Sequence, residues 1–185
     1  MGCNCGRRAV APGAVTPASR SATSRRPGPA AAAAVAVVAE PPPPPDPLVW
    51  GPPLWRALHI AANFSDRVAV RNDWAILFQV LQNSLPCPEC TEHYRAWFAG
   101  HRFIKGNNAP DVRKNAHEWL VALHNDVNVR LGKPTMTPDE AAALYEGDRL
   151  VRIAEAEAAL VSLKGVVGRS ALNQLNRILQ RIKKR

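Results

Sequence analysis

The sequence predicts an all-α protein, and three observations support this fold class. Apolar residues recur at intervals of three and four along several segments after residue 50. Prolines or capping residues stand where most of these segments begin. No stretch of any length shows the alternation of apolar and polar residues that is typical of strands. With 185 residues, the chain is long enough for one domain of ordinary size plus tails.

The net charge of +9 is concentrated at the two ends of the chain. Residues 1–46 carry five arginines against two acidic residues, and residues 164–185 carry seven basic residues and no acidic one. Residues 47–163 are nearly neutral, with 12 basic and 13 acidic residues. An anionic partner would therefore meet the tails, and we expect no nucleic acid at a site in the middle of the chain.

We expect residues 1–47 to form a disordered arm, because they are rich in alanine, proline, serine and arginine. Five consecutive prolines at positions 41–45 form a stiff spacer at its end. The apolar run at residues 30–39 is too short to cross a membrane, and it begins too far from the N-terminus for a signal peptide. We therefore expect neither a signal peptide nor a transmembrane helix.

The four cysteines lie in two close pairs, which suits thiol exchange or metal binding better than a disulfide framework. The first pair, Cys3 and Cys5, is a candidate exchange pair, because a disulfide between such near neighbours is easily reduced. The arm reaches on the order of 30–40 Å, far enough to visit a second site. A lipid anchor on Gly2 and these cysteines is another interpretation, although Gly6 stands where acylation prefers Ser or Thr. The third interpretation is that these two cysteines have no role.

The ordered domain is expected to begin near Leu48, and its first helix is expected to start in the run from Trp50, with Pro52 and Pro53 in the first turn. Trp55 and His59, four residues apart, then lie on one face and can share one pocket. A core aromatic residue beside a hydrogen-bonded histidine is the simpler interpretation of this pair.

The second cysteine pair, Cys87 and Cys90, begins a predicted third helix, after a second helix at residues 72–84. We expect Cys87 at the helix N-terminus, where free N–H groups favour a thiolate, and expect it to be the more exposed cysteine. A structural disulfide or two buried thiols is one alternative. A zinc site is another, with His93 as a third ligand. Its fourth ligand would be one of His59, His117 and His124.

Asp111 is predicted to cap a long fourth helix that ends near Leu131. One face of this helix carries three polar residues, His117, His124 and Asn128. A face toward an apolar core should not carry these residues without polar partners. Two interpretations stay open: a satisfied buried network, or a polar ligand bound along the helix near Asn125 and Lys133.

Thr137 is predicted to cap a short fifth helix at residues 138–146. Residues 147–185 then form a helical extension with stretches at 148–163 and 170–184. The last stretch is amphipathic and basic. Three roles fit it: docking on its own domain, which is the simplest, dimerisation, or contact with an anionic membrane or nucleic acid.

Residues 50–145 resemble the Erv/ALR family of FAD-linked sulfhydryl oxidases, in three motifs that keep the family's order and spacing. The first is Trp50-Gly51-Pro52, followed by Trp55 and by Leu58-His59. The second is Cys87-Pro88-Glu89-Cys90 before a helix. The third and most specific is HNDVNVRLGKP at residues 124–134. The N-terminal Cys-x-Cys arm and the missing cysteines described below resemble the small members encoded by large DNA viruses more than the cellular enzymes.

The resemblance implies a four-helix bundle with FAD at its mouth and a short fifth helix, in a domain at residues 48–146. Cys90 would be the proximal cysteine near the flavin, and Cys87 the distal cysteine that takes electrons from a partner. Lys133 would bind the phosphates, and His93 would belong to the flavin site. Trp55 and His59 would contact the flavin or the adenine end. The adenine and ribose side would be lined by His124, Asn125 and Asn128. The implied cofactor-binding residues are Gly51, Trp55, His59, His93, His124, Asn125, Val127, Asn128, Leu131 and Lys133, and no metal is implied.

The implied enzyme is a thiol oxidase that generates disulfide bonds in protein substrates. Electrons would pass from a dithiol to the Cys87–Cys90 disulfide, to FAD and to oxygen, giving hydrogen peroxide. Cys3 and Cys5 are the candidate shuttle to Cys87. The resemblance also implies a homodimer in the host cytoplasm or the virion, and membrane contact of the tails is a further option. A zinc-binding helical module and a lipid-anchored interaction protein are the alternative functions.

The family's second disulfide has no counterpart in this chain. Its two positions hold Val121 and approximately Pro138. We therefore expect the segment after the fourth helix to lack that covalent staple.

Overall fold

The computed structural model describes residues 42–184, which contain seven α-helices, one 3-10 turn at Val68–Val70 and no strand. The predicted all-α class is confirmed. The helices are α1 (Pro47–Asn63), α2 (Arg71–Leu81), α3 (Pro88–Gly100), α4 (Ala109–Arg130), α5 (Pro138–Ala143), α6 (Arg149–Ser162) and α7 (Arg169–Lys183). The predicted disordered arm up to position 41, with Cys3 and Cys5, lies outside the described residues.

α1 begins earlier than its internal prolines predict. Asp46 caps the helix by accepting a hydrogen bond from a backbone N–H at 2.8 Å, and Pro47 occupies the first turn. Pro52 and Pro53 therefore lie inside the helix, and the expectation that they form its first turn is wrong. Trp50 stabilises this earlier first turn of the helix. Its side chain is only 7% exposed, and its indole N–H donates to a backbone carbonyl before the helix. Its burial offsets the two hydrogen bonds that the prolines cannot donate.

The start of α4 also differs from the prediction, whereas α3 and α5 begin as predicted. Asn108, not Asp111, caps α4: its side-chain oxygen accepts the Asp111 backbone N–H at 2.9 Å. Pro110 is suited to the first helical turn, which moves the start upstream. Asp111 then lies in that turn, where the helix dipole still favours its carboxylate. Thr137 caps α5 in a capping box, as its sequence predicts.

The core lies where α1, α2 and α4 meet, and α3 is attached to its edge. Trp74 and Phe78 of α2 have no exposed surface, and neither has Ile60 of α1. The Phe78 ring packs on Trp119 of α4 with 3.8 Å between ring centroids. The Tyr94 hydroxyl of α3 donates to the Phe78 carbonyl oxygen at 2.8 Å. This contact fixes the cysteine-bearing helix against the bundle.

α6 and α7 form a helical pair that packs on α1 and α2. Ile178 and Leu179 of α7 are completely buried. Asp73 of α2 receives two polar contacts from α7: the Gln174 amide donates to it at 3.1 Å, and the Arg181 guanidinium pairs with it at 3.2 Å. The basic last helix therefore docks on its own domain, the simplest of the three roles considered. No helix among the described residues combines the length and apolar composition that a membrane span requires.

Candidate functional site

Cys87 and Cys90 form a disulfide at the N-terminus of α3, with their Cα atoms 5.1 Å apart. Cys87 is the N-cap, and its sulfur accepts a hydrogen bond from the Cys90 backbone N–H at 3.2 Å. A helix N-terminus stabilises a thiolate, so the reduced pair has electrostatic support at this position. The prediction that Cys87 is the more exposed cysteine is wrong. Cys87 is 8% exposed because it packs within the apolar core, whereas Cys90 is half-buried and only borders that core.

Both cysteines line a cavity of about 490 Å³ between α1, α3, α4 and the segments after α4 and α5. This volume lies in the range of small-molecule sites. Eight of the implied cofactor-binding residues line it with the cysteines: Gly51, Trp55, His93, His124, Val127, Asn128, Leu131 and Lys133. The fold thus brings together residues from three separate motifs. His59 and Asn125 do not line the cavity. His59 contacts His124, which does, and Asn125 contacts the segment 133–138 beside it.

His59 lies behind the cavity wall and is 1% exposed. Its Nε2 is 3.0 Å from Nδ1 of His124, and the His124 ring stacks on Trp55 with 4.1 Å between ring centroids. Burial lowers the pKa of His59 to about 3 and that of His124 to about 4, so both imidazoles are neutral at pH 7. Among the described residues, no group hydrogen-bonds to the buried Nδ1 of His59. This nitrogen is therefore a buried polar atom in need of a partner.

The polar face of α4 holds the segment 133–138. The Asn125 side chain makes two hydrogen bonds to the backbone of Met136, at 2.7 and 3.0 Å. The Asn128 amide donates to a backbone carbonyl of the same segment at 3.2 Å, and His117 contacts another at 2.7 Å. Part of the face is thus a hydrogen-bonded network, the simpler of the two interpretations, and the buried Nδ1 of His117 is left without a partner among the described residues. His124 and Asn128 nevertheless line the cavity, so the same face also serves the site.

Two polar contacts join α3 to α4 beside the disulfide. His93, which lines the cavity, is 2.6 Å from a carboxylate oxygen of Asp126, measured from Nε2. One turn away on each helix, the guanidinium of Arg130 is 3.7 Å from the carboxylate of Glu89. Both pairs therefore hold the cysteine-bearing helix beside the polar face of α4.

Sequence reasoning missed Tyr145 and Asp126. Tyr145 lines the cavity, and its ring lies parallel to His59 with 5.4 Å between ring centroids. It follows α5, and no helical spacing relates it to the other site residues. Asp126 lies inside the third motif, but only the fold shows that its partner is His93 on another helix.

Comparisons with known proteins match the segment that carries this cavity. The Erv1 / Alr family matches residues 52–146. A FAD-linked sulfhydryl oxidase of African swine fever virus is 34% identical over 102 residues, 54% of this chain and 82% of that protein. The mitochondrial FAD-linked sulfhydryl oxidase erv1 of Schizosaccharomyces pombe is 38% identical over 89 residues, 45% of this chain and 46% of that protein. No solved structure gives a significant match.

Proposed function

Because the chain belongs to the Erv1/Alr family, we propose that it is a FAD-dependent thiol oxidase that generates disulfide bonds in protein substrates. The observation that carries this proposal is the Cys87–Cys90 disulfide in the wall of a cavity within the family-matched segment. The overall reaction turns two thiols and oxygen into a disulfide and hydrogen peroxide. Its substrates are therefore protein dithiols and molecular oxygen.

The residues of the cavity fit FAD in three respects. The rings of Trp55 and Tyr145 offer planar apolar surface to the aromatic ring systems of the cofactor. Lys133 and Arg56 bring positive charge for its diphosphate. Behind the cavity wall, the buried Nδ1 of His59 is a polar atom that lacks a partner among the described residues. The first two features support the eight proposed residues that line the cavity, with Tyr145 added to them.

The residues have different proposed roles. Trp55, His124, Val127, Asn128 and Leu131 would form the wall against the cofactor, and Lys133 would contact its phosphates. Gly51 lies where a Cβ would meet no other atom within 4 Å, so the wall there has room to spare. His59 and Asn125 lie outside the cavity lining, and we propose that they act by holding His124 and the segment 133–138 in place.

The protein's own contribution to the chemistry lies at the two cysteines. When bound, FAD accepts two electrons from the reduced cysteine pair and is reoxidised by oxygen. A substrate thiolate forms a bond to Cys87 Sγ, and the bond to Cys90 Sγ breaks, which leaves a thiolate on Cys90. The second substrate thiol then releases the substrate as a disulfide and leaves Cys87 reduced. Cys87 at the helix N-terminus keeps backbone N–H groups close to this exchange.

We propose Cys3 and Cys5 as a shuttle that carries electrons from protein substrates to Cys87. Support comes from their spacing and from the reach of the arm, and both lie outside the described residues. Replacing both cysteines with serine should slow oxidation of a reduced protein substrate and leave turnover of dithiothreitol unchanged. Equal rates for variant and wild type on both substrates would exclude the shuttle. Intact mass measurement would instead reveal a lipid on Gly2 or either cysteine.

A homodimer, contact of the N-terminal end with a membrane, and a setting in the host cytoplasm or the virion are further proposals. The viral relatives support the setting. An exposed apolar face on α6 supports the dimer, and it consists of Leu150, Val151, Ala154, Ala158 and Val161. α7 buries its own apolar face on α2, so membrane contact is proposed only for the N-terminal end.

The visible absorption spectrum of the purified protein tests the proposed function. We expect a flavin spectrum that bleaches when dithiothreitol is added without oxygen and returns when air is admitted. A colourless protein that contains zinc would overturn the proposal in favour of the zinc-binding module. In the structure, the two sulfurs that zinc would need are joined in the disulfide. Among residues 42–184, no three His, Cys, Asp or Glu side chains are placed to hold a metal ion.

A further inference from the structure

The pair formed by His93 and Asp126 occupies a position that the exchange step can use. His93 lies three residues after Cys90 on α3, and side chains at this spacing are neighbours on a helix surface. Both residues line the same cavity. Asp126 comes from α4 and is 2.6 Å from Nε2 of His93, a short charge-assisted contact.

The contact with Asp126 decides which nitrogen of His93 is free. The carboxylate can only accept, so Nε2 carries the hydrogen. Nδ1 of His93 is then the nitrogen left to accept a proton, because Nε2 is occupied by Asp126. An aspartate behind an imidazole also stabilises the imidazolium that forms when the ring takes a proton.

We propose, on the basis of the proposed thiol oxidase function, that His93 takes the proton of the attacking substrate thiol and that Asp126 is its positioning residue. The sulfur–hydrogen bond of the substrate breaks, and its proton goes to Nδ1 of His93. The substrate sulfur bonds to Cys87 Sγ, and the electron pair of the broken disulfide stays on Cys90. The imidazolium of His93, held by Asp126 one helical turn from Cys90, then stabilises the Cys90 thiolate.

Other charged or titratable groups line the same cavity as His93. They are Glu89 on α3, His124 and Arg130 on α4, Lys133 after α4 and Arg56 on α1. Glu89 and Arg130 pair with each other, and burial keeps His124 neutral at pH 7. Burial also raises the pKa values of Tyr94 and Tyr145, so both hydroxyls stay protonated. His93 is the imidazole that pairs with a carboxylate one helical turn from Cys90.

Substitutions of Asp126 distinguish its hydrogen bond to the His93 ring from its negative charge. Asp126→Asn keeps an oxygen that accepts from Nε2, but removes the negative charge. Asp126→Ala removes both, and Asp126→Glu is the conservative variant that should restore function in part. Glu118→Gln is a matched control, because it removes one negative charge from an exposed ion pair elsewhere on α4.

The first readout does not depend on the flavin. The reduced protein is alkylated with iodoacetamide between pH 5 and 9, and the modified cysteines are counted by mass spectrometry. In Asp126→Asn and Asp126→Ala, we expect the alkylation profile of Cys90 to move by about one unit toward higher pH. The profile of Glu118→Gln should match the wild type. Identical Cys90 profiles in all four proteins would overturn the proposal.

The second readout is the rate constant with which dithiothreitol reduces the oxidised protein without oxygen. We expect Asp126→Asn to be slower by about 10-fold at pH 7 and to approach the wild-type rate near pH 9, where a much larger fraction of the reagent is already thiolate. A deficit that is the same at every pH would indicate a merely structural role and overturn the proposal. Absence of a bleachable flavin in the wild type would instead overturn the proposed function, and the alkylation profiles would still test the role of Asp126.

Discussion

Buried histidines distinguish this site at the scale of single residues. His59 and His124 are held neutral by burial, and the ring of each packs on an aromatic neighbour. A histidine that cannot take a proton in the folded state makes folding depend on pH. The folded chain then binds fewer protons than the unfolded chain at any pH between the two pKa values.

We expect His59 to make the protein less stable as the pH falls. Its pKa is about 3 in the folded state against an ordinary value of 6.5, so its contribution is complete above pH 6.5 and is lost as the pH falls toward 3. Between pH 7 and 5 the wild type should lose about 2 kcal/mol more unfolding free energy than His59→Gln. Urea denaturation followed by circular dichroism at pH 7, 6 and 5 measures this difference. Parallel pH dependence of the two proteins would contradict it.

The segment after α4 shows how one helix organises the site at the scale of elements. In place of the absent second disulfide, the side chains of Asn125, Asn128 and His117 hold this segment by hydrogen bonds to its backbone. Lys133 lies in that segment and lines the cavity. The same helix face therefore shapes the cavity and fixes the loop that brings a cation to it.

We expect Asn125→Ala to loosen this segment. The variant loses two hydrogen bonds to Met136, which should cost about 1–3 kcal/mol of unfolding free energy. If the looser segment costs about 1.4 kcal/mol of flavin binding free energy, the flavin affinity should fall roughly 10-fold. Flavin fluorescence titration and thermal unfolding measure the two effects.

Asn115→Ala is the matched control for that substitution. Asn115 also lies on α4 and donates one hydrogen bond to the loop before the helix, at Ile104. It should lose some stability and keep the flavin affinity of the wild type. Equal flavin affinities in both variants would show that Asn125 does not support the site.

The C-terminal helical pair completes the core at the scale of the whole molecule. It lies outside the family-matched segment, yet its side chains share one apolar cluster with α1 and α2. The turn into α7 approaches the end of α2 closely, because the Gly168 N–H donates to the Ser84 carbonyl oxygen at 2.7 Å. A Cβ at position 168 would lie 2.8 Å from Ser84 Cα, so only glycine allows this approach.

We expect Ile178→Ala to destabilise the whole domain, not only α7. The side chain has no exposed surface, and its truncation should cost about 2–5 kcal/mol. Chemical denaturation should show one cooperative transition at a lower midpoint. Arg177→Ala, on the exposed side of the same helix, should stay close to the wild type. A separate early transition in Ile178→Ala would mean that the extension folds independently.

The exposed apolar face of α6 gives a test of the proposed homodimer. Ala158→Glu places a charge in the middle of this face and should shift the protein from dimer to monomer in sedimentation equilibrium. Ile76→Glu changes an exposed apolar residue of α2 and should leave the dimer intact. A wild type that is monomeric at all concentrations, or an Ala158→Glu dimer, would argue against this interface.

The sequence determined the helical class and the approximate position of each helix. Periodicity and capping residues fix helices locally, so the all-α class, the start of α3 and the Thr137 cap could be predicted. The start of α4 could not, because Asn108 and Asp111 both have capping side chains and only the position of the first turn selects between them. The family resemblance carried by the three motifs named eight residues that line the cavity, and their role in cofactor binding stays a prediction.

Only the tertiary structure decided which side chains of different helices contact one another. The burial of Cys87, the pairing of His93 with Asp126 and the presence of Tyr145 at the cavity all depend on contacts between distant segments. The docking of α7 on α2, rather than on a membrane or a second chain, depends on where the apolar face of α2 is left uncovered. Such contacts are set by packing and desolvation across the whole fold, and no local pattern in the sequence encodes them.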